Sequence, residues 1–158
     1  MTAKSTLPAG NLATAPSLHP PNLRQRILVV EDDPSVRRGN TQVLTNSGYH
    51  VDAAEDGAAA WDALQVHDYD LLITDNDMPK VTGIELIQKL QTAKPALPVI
   101  MATGAVPEEA FHRHRVTPPA KILLKPYSLE ELLAAVKEVL RAASHSLGEI
   151  APPPNWQA

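Results

Sequence analysis

Five polar residues each close a short apolar run. Glu31 and Asp32 follow Ile27-Leu28-Val29-Val30, and Asp75 follows Leu71-Leu72-Ile73-Thr74. Thr103 follows Val99-Ile100-Met101-Ala102, and Lys125 follows Ile122-Leu123-Leu124. If the runs are neighbouring strands, three carboxylates, a hydroxyl and an ammonium crowd one rim. Carboxylates about 4–5 Å apart at an effective dielectric near 20 repel by roughly 3–4 kcal/mol per pair. That is a large share of a typical domain's roughly 5–15 kcal/mol of stability. A hard divalent cation with oxygen ligands offsets such repulsion, and Mg²⁺ commonly takes one or two carboxylates plus phosphate and water. The ammonium of Lys125 offsets more. Without a cation, at least one carboxylate pKa should rise.

These parts suit phosphoryl transfer, with Asp75 as the nucleophile. The transition state spreads charge over three oxygens, so catalysis is mainly positioning and charge neutralisation. Mg²⁺ held by Glu31, Asp32 and Asp75 can take one oxygen, Lys125 a second, and the Thr103 hydroxyl can donate to a third. Gly104 leaves room for a donor beside Asp75. The product would be an acyl phosphate, a covalent state that lasts.

The elements that must position these residues alternate. Apolar runs bounded by turn signals read as buried strands: Ile27–Val30, His50–Ala54, Leu71–Thr74, Val99–Ala102 and Lys121–Leu124. Between them lie helical periods. Pro34 opens the first, whose inward face is Val36, Val43 and Leu44, and Gly48 stops it. Ala60, Trp61 and Leu64 face inward on the second; Ile84, Leu86, Ile87 and Leu90 follow Gly83 on the third. A weak fourth helix spans Pro107 to about Arg115. Ser128 and Glu131 form a capping box before Leu129, Leu132, Leu133, Val136, Val139 and Leu140. Strands alternating with helices argue an α/β fold, a parallel sheet covered on both faces. The flavodoxin-like, doubly wound order 2-1-3-4-5 is the expected one, and it makes the first and third strands neighbours at the switch point where such sheets bind ligands.

The chain has 158 residues and a net charge of −4, which suits one domain with tails and argues against a general nucleic-acid binder, so no direct DNA binding is expected. There is no cysteine, hence no disulfide framework or thiolate metal site. No apolar run approaches a membrane span and no secretory signal opens the chain, so a cytoplasmic location is expected. Residues 1–25 are small, polar and proline-punctuated and read as a disordered tail. Residues 26–143 form the domain, and 144–158, with Pro152-Pro153-Pro154 and Trp156, a second tail.

The runs Ile27–Asp33, Leu72–Pro79 with Gly83, Val99–Gly104 and Leu123–Pro126 together resemble the CheY-like receiver domain of two-component response regulators. Four motifs in the right order and spacing make the likeness specific. It implies a signalling protein that catalyses only its own phosphorylation and dephosphorylation. It implies a histidine kinase or a His-containing phosphotransfer protein as donor to Asp75. It implies Mg²⁺ on Glu31, Asp32, Asp75 and the backbone carbonyl of Asp77, and a switch built from Thr103, Gly104, Ile122, Lys125 and Pro126. It also implies a cis Lys125–Pro126 bond, since only X–Pro bonds are cheaply cis. Output would leave through the surface of the fourth helix, fifth strand and fifth helix; the downstream protein is open, and so is a homodimer. Ile122 departs from the family, which often carries an aromatic there. Pro118-Pro119-Ala120 replaces its usual small, Gly-containing stretch. After Ala143 too few residues remain to fold an output domain.

Plainer readings stand beside these. Asp33 reads as a helix N-cap. His112 and His114, two apart on a helix, do not share a face and read as surface. Asp75-Asn76-Asp77 also resembles the nucleophile motif of haloacid-dehalogenase-type phosphohydrolases, which sits on a first strand. A third alternative is a receiver that docks without phosphorylation.

Overall fold

A computed structural model of the protein describes residues 25–148. Both proposed tails, Trp156 included, lie outside the described residues apart from their inner ends. Five strands and five helices alternate: β1 (Arg26–Val30), α1 (Pro34–Asn46), β2 (His50–Ala54), α2 (Gly57–Val66), β3 (Leu71–Asp75), α3 (Gly83–Ala93), β4 (Val99–Thr103), α4 (Glu108–His114), β5 (Lys121–Leu124) and α5 (Leu129–Gly148). The strands pair in parallel in the order β2-β1-β3-β4-β5, the flavodoxin-like order expected.

Strand side chains alternate across the sheet, and two cores result. Leu28, Val30, Leu72 and Met101 pack with Leu64, Leu86, Ile87, Leu90 and Phe111 beneath α2, α3 and α4. Ile27, Val29, Leu71, Ile73 and Ile100 pack with Leu44, Leu132, Val136, Val139 and Leu140 beneath α1 and α5. β3 is buried throughout. The strand that ends in Asp75, like its neighbour β4, is buried along its whole length and gives the carboxylate an enclosed backbone.

Local chemistry sets the boundaries. Asp33 caps α1, accepting from the N–H of Ser35 and Val36 at 2.8 and 3.1 Å. Gly48 then turns the chain with φ 96, a conformation that favours glycine. Asp56 caps α2 through Ala59 N–H. Thr82 and Glu85 form a capping box on α3, and Ser128 and Glu131 another on α5. Trp61 packs partly buried on the core, with the Lys89 ammonium 5.5 Å from its ring centre.

Two helix positions differ from the sequence expectation. Val36 and Leu129, read as inward, are 39 % and 44 % exposed. Each lies in the first turn of its helix, at the rim where the sheet below has ended. In Val36's place, Asn40 joins Leu44 as a buried residue of α1. α5 also runs past Ala143, the expected end of the domain, to Gly148. The apolar period fails at Ser144, but a helix needs no apolar face to continue. The hydroxyls of Ser144 and Ser146 turn back onto the carbonyls of Leu140 and Ala142 at 3.0 and 3.1 Å.

Candidate functional site at the carboxyl rim of the sheet

The parallel register carries the ends of β1, β3, β4 and β5 to one rim. Glu31 leaves β1 and is 3 % exposed; Asp32 beside it is exposed. Asp75 closes β3 at 3 % and Thr103 closes β4 at 2 %. Lys125 follows β5, its N–H donating to the Thr103 carbonyl at 2.9 Å. All five residues singled out by chemistry are thus together. Gly104 is exposed, and a methyl group there would meet nothing within 4 Å, so space is open next to Thr103. Ile122 is partly buried against the α2–α4 core. The Lys125–Pro126 bond is cis.

Carboxylate oxygens of Glu31, Asp32 and Asp75 lie within 4.8 Å of one another, the one such acidic or histidine cluster among the described residues. His112 and His114 form no such group. One cation answers the two buried acids: Lys125 Nζ lies 2.9 Å from Asp75 Oδ2 and 3.9 Å from Glu31 Oε2. The remaining support comes from backbone. Asp77 N–H donates to Asp75 Oδ1 at 3.0 Å, and Asp33 N–H to Glu31 Oε1 at 3.1 Å. The side chain of Asp77 is exposed in the β3–α3 loop.

The charges do not balance, and the acid pair records it. Burial above all, with the Asp75 charge adding to it, pushes Glu31 up to about 7; the Asp33 N–H and the Lys125 charge only partly oppose this. For Lys125, burial acts to lower the pKa, but the Asp75 hydrogen bond and the charges of Asp75 and Glu31 win and raise it. A partly buried, oxygen-only cluster that forces one carboxyl towards neutrality fits a hard divalent cation, which would restore the ionised form. The Thr103 hydroxyl donates to the Ala105 carbonyl at 2.9 Å, so it faces along its own loop and not towards Asp75.

Several contacts that shape the rim are not legible in the sequence. The Arg37 guanidinium, one turn into α1, donates to the carbonyls of Glu31 and Asp32 at 2.8 and 3.3 Å. Gly83 presses on the site from α3: a Cβ there would stand 2.6 Å from the Asp75 carbonyl and 2.9 Å from Asn76 Cα. The Asn76 carbonyl accepts from Gly83 N–H and its side chain from Ile84 N–H, pinning α3 to the end of β3. Only glycine allows that approach. Thr82-x-x-Glu85 was a readable cap signal for the same junction.

With this geometry in hand, the kinship is direct. Residues 27–137 match the model of the response regulator receiver domain. The response regulator receiver protein CpdR of Brucella abortus is 35 % identical over 119 residues, covering 75 % of this chain and 99 % of that protein. The transcriptional regulatory protein CusR of Escherichia coli is 31 % identical over 116 residues, but the chain spans only 51 % of its length. Among solved structures, the CheY-like receiver from Methanospirillum hungatei superposes with a TM-score of 0.71 at 26 % identity, covering 77 % of this chain and 98 % of that one. The Thermotoga maritima response regulator TrrA, solved with Mg²⁺ and BeF, gives a TM-score of 0.65 at 28 % identity over 73 % of this chain and 98 % of its own. The chain belongs to the response regulator receiver family. The phosphohydrolase alternative is set aside, since Asp75 closes the third strand and not the first. Among the described residues, no helix is long and apolar enough to cross a membrane.

Proposed function

We propose that Asp75 accepts a phosphoryl group from the phosphohistidine of a histidine kinase or of a His-containing phosphotransfer protein, in a Mg²⁺-dependent reaction in the cytoplasm. The observation that carries this is the buried Asp75 carboxylate, bridged at 2.9 Å by Lys125 in a cluster with more acid than base. An Asp75 oxygen attacks phosphorus, the P–N bond to the imidazole breaks, and an acyl phosphate forms. Mg²⁺, held by Glu31, Asp32, Asp75 and the Asp77 carbonyl, would neutralise charge on the transferring group. Lys125 already sits on one Asp75 oxygen and would follow the charge to the phosphoryl group. The Thr103 hydroxyl would exchange the Ala105 carbonyl for a phosphoryl oxygen.

That exchange is the route for output. It frees the loop from Gly104 to Pro107 and draws it towards Asp75, altering the surface of α4, β5 and α5 where a downstream protein would bind. Val106 and Leu124, 44 % and 54 % exposed, lie on this route. Ile122 is stiff at χ1 and has no polar tip, so the change should run through the backbone more than through a side-chain flip. The chain would catalyse only its own phosphorylation and dephosphorylation.

Phosphotransfer profiling tests the reading. Histidine kinases of the host, labelled on histidine with ³²P, are mixed with the protein in Mg²⁺ or in excess EDTA. Label should pass to the protein from at least one kinase, and only with Mg²⁺. No transfer from any kinase, or transfer undiminished by EDTA, would contradict it.

A further inference from the structure

Asn40 is a polar residue in an apolar place. It is 4 % exposed on the inner face of α1, where Leu44 one turn on enters the core. A buried amide is costly unless hydrogen-bonded. Its Nδ2 donates to the phenol oxygen of Tyr127 at 2.8 Å. Tyr127 stands two residues beyond Lys125, half-buried against the core shared by α1 and α5.

The segment between Lys125 and α5 has few other holds. Lys125 N–H makes the bond to Thr103, Pro126 has no N–H to give, and the α5 capping box begins at Ser128. Beside the packing of the Tyr127 ring, the bond from Asn40 to the Tyr127 phenol is thus what fastens this turn to α1. Lys125 carries a flexible four-carbon stem, with its side chain 33 % exposed. Where its ammonium rests depends on where the backbone at its base is held. The tether also shares a helix with the acids. Arg37, three residues before Asn40 and so on the same side of α1, grips the Glu31 and Asp32 carbonyls. One stretch of helix thus touches the backbone of the acid pair and the turn that bears the cation.

We propose that Asn40 and Tyr127 are positioning residues for phosphoryl acceptance: their hydrogen bond holds the turn after β5 against α1 and so places Lys125 Nζ on Asp75. The inference rests on the acceptance of a phosphoryl group at Asp75. A pair that merely satisfied its own buried amide would support stability alone, and the two roles separate in a double-mutant cycle.

The cycle measures the rate of phosphorylation by acetyl phosphate in Mg²⁺, with Tyr127→Phe introduced into the wild-type chain and into Lys125→Ala. Tyr127→Phe strands the Asn40 amide, so the pair Asn40→Leu/Tyr127→Phe, which removes both polar groups, is run beside it in both backgrounds. Coupled residues are non-additive. Each change is expected to slow the wild-type reaction about five- to tenfold and the Lys125→Ala reaction less than about twofold. In NMR spectra, the Lys125 side-chain signals should move towards those of a free lysine in both variants. Equal slowing in both backgrounds, or wild-type rates and Lys125 signals in the apolar double variant, would overturn the inference alone. A wild-type chain that takes no phosphoryl group from acetyl phosphate would remove the proposed function and this inference with it.

Discussion

The molecule has two polar rims, one at each end of the sheet, and they are built to opposite rules. Towards the amino end, Asp52, midway along the edge strand β2, is answered at its Oδ2. Arg26 of β1 meets it through Nε at 2.9 Å and Nη2 at 2.7 Å, and the Tyr69 hydroxyl donates to it at 2.7 Å. Arg26 also lies 5.3 Å from the centre of the Tyr69 ring, and its N–H is held by Asp70. Burial acts to raise the Asp52 pKa, but the bonds from Tyr69 and Arg26 win and lower it. At the carboxyl end, three acids cluster with one lysine that reaches only two of them, and Glu31 is pushed up to about 7. The lesson is that a balanced cluster is finished by the protein itself, joining β1, β2 and the start of β3. An unbalanced one is finished by something that binds.

The largest expected effect is on that unbalanced rim. Removing Mg²⁺ with excess EDTA should slow phosphorylation by acetyl phosphate at least about a hundredfold, since a main source of charge neutralisation is lost. The same treatment should leave the Arg26–Asp52 cluster untouched, seen as unchanged backbone amide shifts at Arg26 and Asp52. An undiminished rate would break the comparison.

Next in size is a pH effect whose sign differs between the rims. The Glu31 pKa is raised in the folded chain, from an ordinary 4.5 to about 7. The folded state therefore holds the extra proton in that window, and its stability, on this account, falls as pH rises from about 4.5 to 7 by on the order of 1–3 kcal/mol. Mg²⁺ should remove the fall by favouring the ionised cluster. The Asp52 pKa is lowered, so its contribution is present at neutral pH and is lost as pH drops below its ordinary 3.8 and through the folded value. Thermal melts at pH 5 and 8, with and without Mg²⁺, check the first half. A melting point that rises over this range without Mg²⁺ would put the imbalance elsewhere.

The smallest effect belongs to the balanced rim. Asp52→Asn should destabilise by about 1 kcal/mol, because the pair is partly exposed and Arg26 keeps Tyr69 and water as company. Phosphorylation kinetics should not change. A loss of rate exceeding about threefold, with stability intact, would mean that the two rims are coupled through β1 and not independent.

Most of this architecture could be read in the chain. Apolar runs closed by Glu31, Asp75, Thr103 and Lys125 gave the strands, and parallel connections forced their polar ends onto one rim. Caps such as Asp33 and Ser128–Glu131 were legible because their partners lie within four residues. Much of what escaped depends on neighbours distant in sequence. Asn40 and Tyr127 are 87 residues apart, and no local pattern says that an amide on α1 will meet a phenol before α5. The exposure of Val36 and Leu129 is of the same kind: helical period fixes a face, but not whether the sheet still lies beneath the helix end. Gly83 is legible as the residue before the third helix, yet its reason is the Asp75 carbonyl across the loop. The run of α5 through Ser144–Gly148 is not legible because an apolar stripe marks only the part of a helix that packs on the core.

Asp75 is the centre of the proposed chemistry, and intact-mass spectrometry of wild-type and Asp75→Asn protein after incubation with acetyl phosphate and Mg²⁺ tests its role most directly. The wild type should gain the mass of one phosphoryl group, lost again with hydroxylamine as an acyl phosphate would be. Asp75→Asn should fold, with an unchanged far-ultraviolet circular dichroism spectrum, and gain nothing. A full, hydroxylamine-labile phosphoryl adduct on Asp75→Asn would contradict the assignment.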